Sequence, residues 1–125
     1  MDAKEKTLAL LAHETGIDLD AAAETAMFTV PDGKICLVHR IIIADVSANV
    51  AGTLSVCAGF GTADADDVVA ITGGLTITQD NWITGTAKNN AFRGNAGEVF
   101  KFQVKVAEGA PVTGTISIWG HIHDA

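Results

Sequence analysis

Two stretches near the C-terminus alternate apolar and polar residues with a period of two. In residues 98–106, Phe100, Phe102, Val104 and Val106 alternate with Val99, Lys101, Gln103 and Lys105. In residues 112–123, Val112, Ile116, Ile118 and Ile122 fall on one side, with Thr113, Thr115, Ser117, Trp119, His121 and His123 on the other. Successive side chains of a strand point to opposite faces, whereas a helix repeats every 3.6 residues or so. Both stretches are therefore read as strands with one face in a core. Glu108-Gly109-Ala110-Pro111 is the turn between them.

The same period starts upstream. Phe28-Thr29-Val30 runs into Pro31-Asp32-Gly33-Lys34, a turn in which proline presets φ and glycine takes the left-handed position. A long strand follows over residues 35–44, with Leu37, His39, Ile41 and Ile43 expected on one face and Cys36, Val38, Arg40 and Ile42 on the other. Both faces are mostly apolar, as in a strand covered on two sides. After a turn at residues 47–52, Leu54, Val56, Ala58 and Phe60 alternate with Thr53, Ser55, Cys57 and Gly59. Shorter strands are expected at residues 68–72, 75–78 and 82–84, and loops at 61–67 and 85–97. Some eight short strands with turn signals between them predict an all-β, two-sheet sandwich.

The N-terminal stretch has a different pattern. Asp2 with Glu5 three residues on fits a capping box, Ala, Leu, Lys and Glu fill the run to Ala12, and Gly16 fits a C-terminal stop. A short helix is expected, its stripe carried by Leu8, Leu11 and Ala12, with Leu10 to one side. At about three turns it is too short to stand alone in water and must dock on its own domain or on a neighbour. The predicted organisation is a helical arm and connector over residues 1–25 and a β-sandwich over 26–125.

Charge narrows the partners. Only 18% of residues are charged and 48% are hydrophobic, at a net charge of −7. A small domain with so little charge must present neutral or apolar side chains outward, which favours burial in an oligomer or larger assembly. Scattered Lys and Arg on an acidic chain disfavour nucleic acid and anionic membranes. No apolar run approaches the twenty or so residues of a spanning helix, and Met1-Asp2-Ala3-Lys4-Glu5-Lys6 lacks the order of a signal peptide. Synthesis in a cytoplasm is expected, and Cys36 and Cys57 fit a reducing compartment.

Candidate chemistry is sparse. His121 and His123 project to one side of their strand and would supply half of a zinc site, with His39 as a third ligand. A cupin-like metalloenzyme would carry further His and Glu close by in one strand pair, and none are present. Cys57 and Ser55 sit in strand-like surroundings and are read as packed residues. Asp64, Asp66 and Asp67 lack the order of an EF-hand and are read as a solvated loop. Trp119, among Thr and His on the polar side of its strand, is the expected interface anchor. No catalytic residue, cofactor or metal ligand is assigned.

Three stretches carry a resemblance: Met27-Phe28-Thr29-Val30-Pro31-Asp32-Gly33-Lys34, Ala51-Gly52-Thr53-Leu54-Ser55-Val56, and residues 112–122 with Thr-Ile-Ser-Ile-Trp-Gly at their centre. Their arrangement resembles the jelly-roll capsid decoration (cement) proteins of tailed bacteriophages. That resemblance implies a jelly-roll-like virion protein on the outer surface of a phage head, bridging and stabilising major capsid protein subunits. It carries no catalytic motif. Leu8, Leu11 and Trp119 are the expected interface residues. A receptor- or glycan-binding module of a tail or fibre is the alternative role.

Overall fold

A computed structural model describes residues 9–60, 76–79, 83–86 and 93–125. Ten strands lie among the described residues: β1 (Ala9–Asp18), β2 (Glu24–Thr29), β3 (Lys34–Ala44), β4 (Val50–Ala51), β5 (Ser55–Gly59), β6 (Thr76–Ile77), β7 (Ile83–Thr86), β8 (Arg93–Asn95), β9 (Val99–Val106) and β10 (Thr113–Asp124). The fold is all-β, and every strand pairing is antiparallel. A five-stranded sheet runs β1-β10-β3-β7, with β8 also paired to β3. A three-stranded sheet runs β2-β9-β5, and β4 and β6 form a separate pair.

The two larger sheets enclose one core. Cys36, Val38, Ile41, Ile43, Ile116 and Ile118 face inward from the first, and Met27, Val56, Ala58, Phe100, Phe102 and Val104 from the second. The period-two pattern holds through the middle of β9 and β10, where Phe100, Phe102, Val104, Ile116 and Ile118 are buried. Toward the ends it fails, with Val106 and Ile122, expected on the core faces, exposed and Thr115, expected on the polar face, buried. Phe100 stacks on Phe28 at 5.5 Å between ring centroids and meets Phe60 edge-on at 5.0 Å. Such pairs add to the burial of the rings themselves. The Pro31 turn closes through a bond from Lys34 N–H to the Pro31 carbonyl at 3.2 Å, and Gly33 takes φ 73°.

The expected N-terminal helix is not present among the described residues. Residues 9–18, its second half together with the start of the expected connector, form β1, which pairs along β10 from Ala9 opposite Gly120 to Asp18 opposite Thr113. Gly16, expected as a helix stop, has φ 68° within an irregular stretch of β1 between Glu14 and Ile17. Helix propensity over so short a segment is weak, and an open sheet edge offers a ladder of hydrogen bonds to every second residue of a strand laid beside it. Asp2, Glu5 and Leu8 lie outside the described residues. Leu19, in the expected connector, is fully buried in the core, and β2 starts at Glu24.

β3 departs from simple alternation. Cys36 and Val38 are buried, His39 and Arg40 are both exposed, and Ile41 and Ile43 are buried again. A bulge causes this: Trp119 lies opposite Arg40 and Gly120 opposite Val38, so His39 is the extra residue. The inserted residue shifts the phase by one and sends all four apolar side chains inward. Gly120 makes the bulge possible. A Cβ there would strike the Leu37 carbonyl oxygen and stand 2.9 Å from both Val38 Cα and Leu11 Cδ1.

The loop expected at residues 85–97 contains β8, and the turn at 47–52 contains β4. The strand expected at residues 68–72, and Trp82 and Phe92, lie outside the described residues. No helix among the described residues is long and apolar enough to cross a membrane.

Phe100→Ala is expected to lower the unfolding free energy by about 3–5 kcal/mol, and Gly120→Ala by about 1–3 kcal/mol through forced backbone movement. Val106→Ala, at a half-exposed position, should change it by less than about 0.5 kcal/mol. Urea denaturation of the three variants checks the order.

Candidate functional site

β10 lies between β1 and β3, so side chains on its outward side form rows with theirs. Leu10, Trp119 and Arg40 make one row, and His13, Ser117 and Ile42 the next. On the other side of the bulge, His121 lies opposite Leu37 and His123 opposite Ile35. The face is mixed: Leu10 is 48% exposed, Trp119, Leu37, Ile35 and Ile42 are half-buried, and His39 and Arg40 are exposed. Leu11 turns the other way and packs against the core. Trp119 is thus the expected anchor residue that the structure places on this face, beside Leu10.

The indole N–H of Trp119 is covered, yet no acceptor reaches it among the described residues. Desolvating a donor without a hydrogen bond is unfavourable, so the covered N–H is a local cost within this face.

The three expected histidines come together. The His39 and His121 rings meet edge to face at 4.6 Å, and His121 and His123 lie 5.8 Å apart. Partial burial, followed by the charges of His121, Arg40 and His123, holds the His39 imidazole below its ordinary range. Among the described residues no group of three or more His, Cys, Asp and Glu side chains has the arrangement of a metal site.

Sequence reasoning passed over His13, because it fell in the expected helix. Its Nδ1 lies 3.0 Å from Ser117 Oγ. A hydroxyl beside an imidazole is part of the equipment of nucleophilic catalysis, which also needs donors for a developing oxyanion. Ser117 sits mid-strand with ladders on both sides, where backbone amides are engaged in pairing. The pair reads as a cross-strand hydrogen bond.

Both cysteines are free and buried. Burial pushes the Cys36 thiol up to about 12, and the Cys57 thiol lies 3.3 Å from Gln103 Oε1. At the end of β10, Lys34 bonds Asp124 and holds its carboxyl below the usual carboxylate range. The acidic residues Asp64, Asp66 and Asp67 lie outside the described residues.

No protein-family model matches the sequence, and no curated protein matches it. Its structural neighbours are phage capsid structures. A chain of the acidic stable capsid structure of Helicobacter pylori bacteriophage KHP30 is 14% identical, covers 95% of this chain and 97% of its own, and superposes with a TM-score of 0.52. A chain of the cyanophage Pam1 capsid asymmetric unit is 11% identical, with coverage of 92% and 84% and a TM-score of 0.47. At this identity the first likeness establishes a shared fold.

With its thiol raised to about 12, Cys36 is expected to resist alkylation in the native protein at pH 8 and to react on unfolding. Iodoacetamide labelling followed by mass spectrometry of the Cys36 peptide, with and without urea, checks this.

Proposed function

We propose that the protein is a non-enzymatic component of a phage virion. In this reading it is a jelly-roll-like decoration protein that binds the outer surface of the head, bridges major capsid protein subunits and stabilises the shell. The observation that carries the reading is the near-complete two-way overlap with a chain of a phage capsid structure. Coverage at both ends matches domain to domain, where a short shared motif would leave much of each chain unmatched.

The chemistry of the surface supports it. With 18% charged residues, the chain has little with which to solvate its exterior. Leu10, Val106 and Ile122 are large apolar residues at least one-third exposed. A protein that binds only assembled coat subunits shifts the shell toward the assembled state by mass action. The docking surface in this proposal is the outer face of the five-stranded sheet, anchored by Trp119 with Leu10 beside it. Leu11 holds that edge to the core from beneath, and Leu8 belongs to the same proposed interface. The protein acts there as a dimer or trimer, made in the host cytoplasm and incorporated into the virion, with neither nucleic acid nor membrane as partner.

Purified protein added to expanded capsids that lack it is expected to bind saturably and to raise their disruption temperature. Trp119→Ala should weaken binding at least about tenfold, as for a central interface aromatic. Co-sedimentation reads both results. Failure of the wild-type protein to sediment with capsids would contradict the proposal, as would immunogold label confined to tails.

A further inference from the structure

The outer face of the five-stranded sheet gathers three of the chain's four histidines at one end. The bulge at residue 39 adds Arg40 to the cluster. In a regular strand His39 would share a face with Leu37 and Arg40 would point away from it; the inserted residue instead leaves both His39 and Arg40 exposed. His39 then reaches His121 edge to face at 4.6 Å, and His123 follows at 5.8 Å.

The charges around the cluster are one-sided. β3 contributes Arg40 and Lys34, and β8 contributes Arg93, opposite Leu37 in the row that also holds His121. β10 contributes Asp124, whose carboxylate is bonded to Lys34. β1 contributes His13, tied to Ser117 beyond the Trp119 row, and β7 contributes no titratable residue. Covered His121 Nδ1 has no hydrogen-bond partner among the described residues. Protonating two of these imidazoles would set like charges within about 6 Å of each other, beside Arg40.

We propose that His39, His121 and His123 form a proton-sensitive latch across β3 and β10, closed when the imidazoles are neutral and opened when they take up protons. In the closed state the rings pack against one another and hold the bulge to the C-terminal end of β10. In the open state, repulsion among the rings and Arg40 loosens that end of the sheet and turns its outer face cationic. The latch belongs to the isolated chain and operates whatever that face binds.

The sign follows from proton linkage. His39 takes up a proton less readily in the folded chain than in the unfolded one. Its contribution to stability is therefore complete above the ordinary imidazole value near 6.5 and is lost as pH falls through its lowered folded value. Carboxylates titrate mostly below this window.

The test is a histidine titration by NMR with melting curves from about pH 7.5 to 5.5, all in EDTA. His39 is expected to titrate lower in the folded protein than in the urea-unfolded chain, and His121→Gln should move its folded midpoint upward. The melting temperature should fall on acidification in the wild type and in His13→Gln, and fall less in His39→Asn and His123→Gln. Four results would each overturn the latch: His39 titrating alike in the folded and the urea-unfolded protein, a His39 midpoint indifferent to His121→Gln, an undiminished acid response in both His39→Asn and His123→Gln, or a response lost in His13→Gln.

Discussion

The pairing of β3 with β10 around Gly120 organises most of what the described residues do. β10 runs 12 residues through the middle of the five-stranded sheet, and β3 follows it for nearly its whole length. Ten consecutive residues of β3 with strict alternation would bury either Cys36 and Val38 or Ile41 and Ile43, and leave the other pair facing outward. One extra residue lets both pairs enter the core. The backbone must pass close to β10 for this to happen, and only a residue without Cβ leaves the space. Core composition and outer-face composition are therefore set by the same irregularity. Moved toward the N-terminus, the bulge would bring His39 inward in place of Val38; moved toward the C-terminus, it would bring Arg40 inward in place of Ile41.

Much of this architecture was legible in residue patterns. The phases of β9 and β10, the Pro31–Gly33 turn and the all-β class all follow from period-two alternation and turn chemistry. The helix expected at the N-terminus failed for a physical reason. Ala, Leu and Glu favour a helix by only tenths of a kcal/mol each, whereas β10 offers a full ladder to whatever lies beside it. That ladder is a non-local partner and leaves no local trace in residues 9–18. The phase of β3 failed for a related reason, since a bulge is visible only where two strands meet. One signal was present: Gly120 interrupts an otherwise well-patterned strand, which often marks a bulge or a close backbone approach.

The candidate site was legible in part. Trp119, His121 and His123 were expected on the outward side of β10 and are found there. His39 was expected on the face of Ile41 and Ile43, and the bulge separates it from them. His13 and Leu10 entered the face only once residues 9–18 proved to be a strand. The outcome is a surface that mixes apolar residues with Arg40, Arg93 and the Lys34–Asp124 pair, one aromatic lacking an acceptor among the described residues and a cluster of titratable rings. Such a face favours contact through burial and shape more than through ion pairs, which contribute little at exposed positions. It suits the seam-covering role proposed from the likeness to a phage capsid chain, and it gives catalysis few footholds.

Placing β10 between β1 and β3, with His39 as the inserted residue, is the claim on which core, face and latch all depend. Site-resolved cross-strand nuclear Overhauser contacts test it most directly. Trp119 should show backbone contacts to Leu10 on one side and to Arg40 on the other, and the His39 and His121 rings should contact each other. Helical contacts between residues three apart through residues 9–18, or Trp119 opposite His39 in an unbroken register, would contradict it.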